Sequence, residues 1–376
     1  MVFTSGKNLS PQVSIVIPTR NRISTLSYTI ETTLQQTVSA GYEVIVSDNG
    51  DAESEQVRDL VRSYHDTRLV FVKTPKYLSM CDSWEFALDN ASGQIICFIG
   101  DDDGLMPNAV EAIIDADQEY SPDVFFWREH CFGWPGTISS SGTLISLSKR
   151  CDTVLFDPMP SLEKIVKWGG SGLTNIPMIY HSAVSRNIIN KVKSRVGRYF
   201  ESRQPDIFPA FASIFESTKC VRIGSALTVS GWSSTSNSGS MRNKYSGHQN
   251  KSYIEAYKKW KLHDSLVENQ KLNFFYATAE SILMAVDFYP SKLSNKFNFN
   301  AMWAIYIRLS GYQNYFWLMK NWKSLTKRHD SKIILFHLYL ILNIMKTIYD
   351  YTSVIFGIKN TKIDACNVLE FTEKYK

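Results

Sequence analysis

What this chain lacks narrows it first. Its six cysteines (Cys81, Cys97, Cys131, Cys151, Cys220 and Cys366) form no C-x-x-C pair. That argues against a zinc ribbon or a disulfide framework and fits a reducing compartment. The opening residues, M-V-F-T-S-G-K-N-L-S, lack the charged-then-apolar order of a signal peptide, so the expected location is cytoplasmic. No stretch supplies the ~20 clean apolar residues of a transmembrane helix. The nearest, Ile333–Met345, is interrupted by His337 and Asn343, and Lys346 and Asp350 follow. There is no internal repeat, and no nucleic-acid-binding motif accompanies the basic residues.

The 376 residues are enough for a full α/β domain plus a second unit, and 44% hydrophobic content allows a sizeable core. The net charge of +5 hides a split. Residues 1–250 carry 23 basic and 26 acidic side chains, and residues 251–376 carry 18 and 10. A basic C-terminal part suits an anionic surface, or simply solvated helices.

One stretch organises the rest. Gln94–Pro107 reads Q-I-I-C-F-I-G-D-D-D-G-L-M-P. An apolar run of strand length ends in three consecutive acids, Asp101, Asp102 and Asp103. Gly104 then permits a turn, and Pro107 suits the start of a helix. In open α/β sheets ligands bind beyond the carboxyl ends of strands. Three adjacent carboxylates repel one another, and a divalent cation is their natural partner.

The surrounding pattern alternates. Strands are expected at Val13–Ile17, Glu43–Ser47, Arg68–Val72, Gln94–Ile99 and Asp123–Trp127. Helices are expected at about 24–36, 52–64, 79–91 and 108–119, which implies a doubly wound sheet. Strands one, two and four each end in polar groups on one rim. Further on, Pro177–His181 reads as a strand leading into a helix from Ala183. Gln204-Pro205-Asp206 opens an apolar segment expected to be a buried helix. Trp232–Ser246 is a polar loop and a candidate lid. From about Tyr253 the chain reads as aromatic helices. Lys320, Lys323, Lys327, Arg328 and Lys332 precede the apolar Ile333–Met345 helix. That arrangement suits either an interfacial membrane contact or a buried core helix.

With these residues in view, 13–127 resembles the family-2 glycosyltransferases, which have the GT-A fold. The matching pieces are V-S-I-V-I-P-T-R-N-R at 13–22, E-V-I-V-S-D-N-G at 43–50, A-S-G-Q-I-I-C-F-I-G-D-D-D at 91–103 and L-M-P at 105–107. The resemblance implies a Rossmann-like GT-A domain over 1–250, with a nucleotide-binding half at 13–127 and an acceptor half at 128–250. A helical C-terminal region would follow over 251–376. It implies inverting transfer of a sugar from a nucleotide-diphosphate sugar, a UDP-sugar first among them, to a glycan or lipid-linked acceptor. Bacterial surface-polysaccharide assembly is the usual setting.

By the same resemblance, Pro18, Thr19, Arg20, Asn21 and Asp48 hold the nucleoside. The family's D-x-D motif, counted back from Pro107, falls on Gly100 and Asp102, so the first acid is replaced by glycine. Asp102 is then the main ligand for Mg²⁺ or Mn²⁺. Asp103 supports the metal, and Asp101 supports the metal or the ribose. The general base falls on Asp206, where proline precedes it instead of a second acid; a helix N-cap is the competing role. Asp152, Asp157 and Glu201 are the next acids in line, and His181 and His248 are further candidates for metal or phosphate.

Two other readings remain at this level. A nucleotidyltransferase would carry a Gly-rich loop after strand one, and P-T-R-N-R has no glycine. A non-catalytic sugar-nucleotide or carbohydrate-binding protein could keep the fold.

Overall fold

The computed structural model describes residues 10–51, 53–136, 143–146, 151–173, 176–234, 262–266, 274–293, 296–357 and 365–374. His248 and most of the polar Trp232–Ser246 stretch lie outside these residues.

The first four strands are β1 (Val13–Thr19), β2 (Tyr42–Asp48), β3 (Leu69–Lys73) and β4 (Ile95–Phe98). They lie parallel in the order β3-β2-β1-β4. Their near-continuous apolar sequences follow from burial on both faces. Alternate side chains of β1 enter opposite cores: Ile15 and Ile17 point to one, Val16 to the other. The first core is closed by α1 (Ile23–Leu34), α2 (Ser54–Ser63) and α4 (Ala109–Tyr120), through Leu26, Val57 and Ile113. The second is closed on its near side by α3 (Met80–Asp89), whose start Ser79 caps by accepting from the Asp82 N–H at 3.2 Å.

Beyond β4 the sheet becomes mixed. After the two-residue β5 (Gly104–Leu105) come β6 (Val124–Phe126), β7 (His130–Gly133), β8 (Thr143–Ser146) and β9 (Val154–Phe156). They are followed by α5 (Met159–Lys167), β10 (Ser182–Ser185), α6 (Arg186–Val196), α7 (Ile207–Glu216), β11 (Cys220–Arg222) and β12 (Thr228–Trp232). The main sheet continues as β10-β6-β11-β9, with β10 antiparallel to both β4 and β6. A second small sheet has the order β5-β12-β7-β8.

The strand expected at Pro177–His181 lies further on, at Ser182–Ser185, and its helix begins at Arg186 rather than Ala183. The physical reason is local. His181 takes a left-handed φ of 60°, which ends any regular extension there. Ser182, Ala183 and Val184 then supply the pairing with β6, and Ser185 caps α6. Residues 177–181 instead bend across the end of β4, joined to it by a bridge between Phe98 and Tyr180.

The C-terminal helices are α8 (Phe274–Phe288), α9 (Phe299–Ser310), α10 (Tyr315–Leu325), α11 (Ile333–Gly357) and α12 (Val368–Lys374). Side chains of the first four join the second core of the sheet: Ala279, Trp303, Leu318 and Phe336 belong to one cluster with Phe98, Phe208 and Phe211. So the core crosses the 250/251 boundary without a break. The last helix returns to the small sheet, where Val368 and Phe371 pack with Phe132 and Val229.

Phe208 is fully buried and its ring lies 6.0 Å from that of Phe288 on α8. Phe208→Ala should cost about 3–5 kcal/mol. Urea unfolding followed by tryptophan fluorescence and by circular dichroism should give one coincident transition. Two separated transitions would contradict a shared core.

Candidate active site

β4 delivers the acids. Ile99 is still tied to β1 through its N–H to the Val16 carbonyl at 3.0 Å. Two residues later the chain turns, with the Asp103 N–H donating to the Gly100 carbonyl at 3.2 Å. All three carboxylates are buried, yet each has different neighbours.

Asp101 faces the end of β1. Thr19 Oγ1 donates to its Oδ2 at 2.7 Å, and Arg22 Nη1 donates to its Oδ1 at 3.0 Å. Asp103 is held from three sides. Its Oδ2 accepts from the Tyr180 hydroxyl and from the Gly100 N–H, both at 2.6 Å. Its Oδ1 accepts from the Gly231 N–H at 2.7 Å. His181 Nε2 lies 3.3 Å from Oδ2, and burial pushes its imidazole down to about 4, so it is neutral at pH 7. Burial raises the Asp103 carboxyl to about 6 despite these donors, which oppose the shift.

Asp102 is the least satisfied. Ser233 donates to its Oδ2 from Oγ at 2.6 Å and from its N–H at 3.3 Å. Its Oδ1 takes no hydrogen bond among the described residues. Burial, then the charges of Asp103 and Asp101, raise its pKa to about 8. A carboxylate in this position needs a proton or a cation. The donor set therefore fits a hard divalent ion, which commonly takes one or two protein carboxylates and completes its shell with substrate phosphates and water. Among the described residues no three acidic, histidine or cysteine side chains converge into a complete metal cage.

The glycine at the first motif position has a structural cause. A Cβ on Gly100 would run into the Tyr180 hydroxyl and stand 2.8 Å from Asp103 Oδ2. Tyr180 occupies the space a side chain at 100 would need. Gly231 is constrained in the same way, because its backbone passes directly against the Asp102 carbonyl.

The nucleoside candidates line the adjoining rim. Asp48, at the end of β2, is fully buried; its Oδ1 accepts from the Gly50 N–H at 2.7 Å and its Oδ2 lies 3.1 Å from Lys73 Nζ. Asn49 spans to the β3 loop, accepting from the Leu78 N–H and donating to the Leu78 carbonyl, both at 2.9 Å. Arg20 lies over the ring of the exposed Tyr77, 4.3 Å from its centroid. Asn21, with φ of 53°, donates to Asp51 Oδ1 at 2.7 Å. Pro18 precedes them in the last turn of β1, paired in register with Ser47.

Asp206 sits at the N-terminus of α7 and makes no side-chain capping hydrogen bond. Burial raises it to about 6, with its own and the Ile207 backbone N–H opposing. The loop before it is fastened to α8 by Ser202 Oγ to Ser281 Oγ and Thr278 Oγ1 to Gln204 Oε1, each 2.8 Å. It is also fastened to α3, where Cys81 Sγ donates to the Ser202 carbonyl at 2.8 Å. Phe200, in the same run, packs on Phe98 with centroids 5.3 Å apart. Glu201 lies 3.6 Å from Arg198. Asp152 and Asp157 are exposed beside the outer strand β9, and Asp157 accepts from the Met159 N–H at 2.9 Å.

Residues 14–158 match the family model described as glycosyl transferase family 2. The matched stretch runs from β1 through β9 and includes the acid triplet, so this part of the chain is similar to that family. The chain's mixed sheet, with the acid triplet at the end of β4, is the GT-A fold. Among curated proteins, the chain is 27% identical over 118 residues to WcaA of Escherichia coli (strain K12). That protein's name assigns it provisionally to colanic acid biosynthesis as a glycosyl transferase. It is 46% identical over 57 residues to validoxylamine A glucosyltransferase of Streptomyces hygroscopicus subsp. jinggangensis (strain 5008). These matches cover 31% and 15% of this chain and span 42% and 13% of those proteins. Among solved structures, S. aureus TarS aligns with a TM-score of 0.48 at 12% identity, over 82% of this chain and 55% of that one.

Arg22, Lys73, Tyr180 and Ser233 were not legible as site residues. Arg22 stood inside the matched V-S-I-V-I-P-T-R-N-R run, which was its one available signal. Ser233 stood at the start of the Trp232–Ser246 candidate lid, and Tyr180 had no signal.

The Gly100–Tyr180 contact can be tested by a double-mutant cycle. Gly100→Ala should destabilise the fold, and Tyr180→Phe should remove a hydrogen bond to a charged group worth roughly 1.5–3 kcal/mol. Because the new methyl meets the hydroxyl, the double variant should be less destabilised than the sum, by about 0.5–3 kcal/mol. Strict additivity in urea titrations would show that the hydroxyl is not what excludes a side chain at 100.

Proposed function

We propose that this chain transfers a sugar from a nucleoside-diphosphate sugar, most simply a UDP-sugar, to an acceptor hydroxyl with inversion at the anomeric carbon. One observation supports this above the others: the ends of β1 and β4 are bonded directly, with Thr19 and Arg22 both donating to Asp101. Asp48 ends β2, the neighbour of β1 on its other side, on the same rim. Such a rim suits a nucleotide on one side and a phosphate-linked sugar on the other.

In this reading Asp48 accepts from a uracil N–H or a ribose hydroxyl, and Thr19, Arg20 and Asn21 flank the nucleoside beside Pro18. Asp102, with Asp101 and Asp103 in support, would hold Mg²⁺ or Mn²⁺, which would supply positive charge against that developing on the leaving diphosphate. Asp206 takes the proton of the acceptor hydroxyl as its oxygen bonds to the anomeric carbon and the bond to the diphosphate oxygen breaks. A base with its pKa raised to about 6 is ionised at neutral pH yet still basic enough to accept that proton. The name of WcaA supports a setting in bacterial polysaccharide assembly, with a growing glycan or lipid-linked sugar as acceptor.

A panel of nucleotide sugars, screened for binding and for slow hydrolysis with Mg²⁺ or Mn²⁺, tests the reading. One donor should bind and turn over; no binding to any of them would overturn it. For the metal, Mn²⁺ or Mg²⁺ should raise the melting temperature of the wild type but not of Asp102→Asn, which should also lose transfer. An equal shift in both proteins would move the ion elsewhere.

Asp206→Asn should bind the donor nearly as well as wild type and lose transfer by roughly 10²–10⁴-fold. In the wild type kcat/KM should rise as pH passes about 6 and then level off. Stability carries the opposite sign. The folded-state pKa of Asp206 lies above the unfolded one, so the native protein holds this proton more tightly. The contribution of Asp206 to stability should therefore fall as pH rises from about 4 to about 6, and Asp206→Asn should remove that slope. Full transfer by Asp206→Asn would transfer the base role to Glu201 or another acid.

A further inference from the structure

α11 has two apolar faces, and the core uses only one. Phe336 and Leu340 are turned into the second core. Ile334, Leu338, Ile341 and Met345, spaced four, three and four residues apart, lie on the opposite side and are exposed by 79%, 51%, 55% and 61%. A helix packed on a globular protein normally turns a polar face outward. A contiguous apolar stripe of this length marks a contact surface. The neighbouring helix extends it: Tyr315 on α10 hydrogen-bonds to His337 at 2.6 Å, and the adjacent Phe316 is 80% exposed.

The charges around this stripe indicate what covers it. Lys320, Lys323 and Lys327 are exposed on and just after α10, and Lys332 is exposed immediately before α11. Between residues 309 and 345 the sole acid is Asp330. Two copies meeting through this face about a two-fold axis would bring like charges together. An anionic bilayer instead offers hydrocarbon to the stripe and phosphate groups to the lysines. Among the described residues no helix is long and apolar enough to cross a membrane, so the contact is one that lies along the surface.

We infer that the outer face of α11, with the basic residues of α10 beside it, docks this protein on the surface of an anionic lipid bilayer. The inference is independent of the transfer chemistry, and its test uses no substrate. The full chain is sedimented with vesicles of phosphatidylcholine alone and of phosphatidylcholine with phosphatidylglycerol. It should bind the anionic vesicles, and binding should weaken as salt is raised. Ile334→Glu combined with Leu338→Glu should cut that binding by at least about tenfold, with the melting temperature kept, since both positions face outward. Lys320→Gln with Lys323→Gln and Lys327→Gln should weaken binding and flatten its salt dependence.

No binding of the wild type to anionic vesicles at low salt would overturn the inference, whatever the variants do. So would undiminished binding by a folded Ile334→Glu, Leu338→Glu protein. A wild-type dimer in light scattering that this pair abolishes, without vesicle binding, would assign the face to a second copy.

Discussion

Three consecutive carboxylates buried at the end of a strand are the constraint on which this architecture depends. Left alone, they would repel one another in a medium of low dielectric. Each is accommodated in a different way. Asp101 has a guanidinium and a hydroxyl from the neighbouring loop. Asp103 has neutral donors from a tyrosine and two glycine backbones. Asp102 has only Ser233, and burial with the neighbouring acid charges raises its pKa. Identical side chains in adjacent positions thus acquire separate chemistry from their surroundings: one neutralised, one clamped and one left needing a proton or a cation.

Satisfying these acids draws on distant parts of the chain. Ser233 and Gly231 come from β12 and its end, in the small sheet where β12 pairs with β5, which follows directly from Asp103. The last helix packs behind that sheet. Val368 stands 3.2 Å from where a Cβ on Gly104 would lie, and the Phe371 ring is 5.7 Å from that of Phe132. On the other side, α8 holds the loop that leads to Asp206. The helical C-terminal part therefore supports both the small sheet behind the acids and the loop before Asp206, although it contributes none of the candidate reacting groups.

The same helices carry the molecule's outer apolar surface. α11 is anchored by Phe336, which meets Trp322 at 5.0 Å and Tyr315 at 6.4 Å. That leaves the opposite stripe outward while the helix is placed by its neighbours α9 and α10. Burial on one side and exposure on the other come from one apolar sequence, Ile333–Met345, broken only by His337 and Asn343, which is why periodicity alone could not choose between a core helix and an interfacial one.

The strands and helices of residues 13–127 were legible because each is locally consistent. Apolar runs of strand length end in turn residues, α3 starts at its capping residue Ser79, and the acids stand next to each other in sequence. Asp101, Asp102 and Asp103 could be named because strand ends fall on one rim of a parallel sheet as a matter of connectivity, and Asp48 because the family resemblance placed an acid after strand two. Tyr180, Ser233 and Arg22 could not be assigned in this way. Tyr180 arrives through a left-handed bend at His181 that displaced the expected strand, and Ser233 through a register of β12 against β7 and β5. Such positions follow from packing between segments that lie far apart in the chain. Local propensity determined which elements form and where the acids stand. Tertiary structure alone decided which acid is neutralised, which is clamped and which remains open, because burial and donor geometry are properties of the assembled fold.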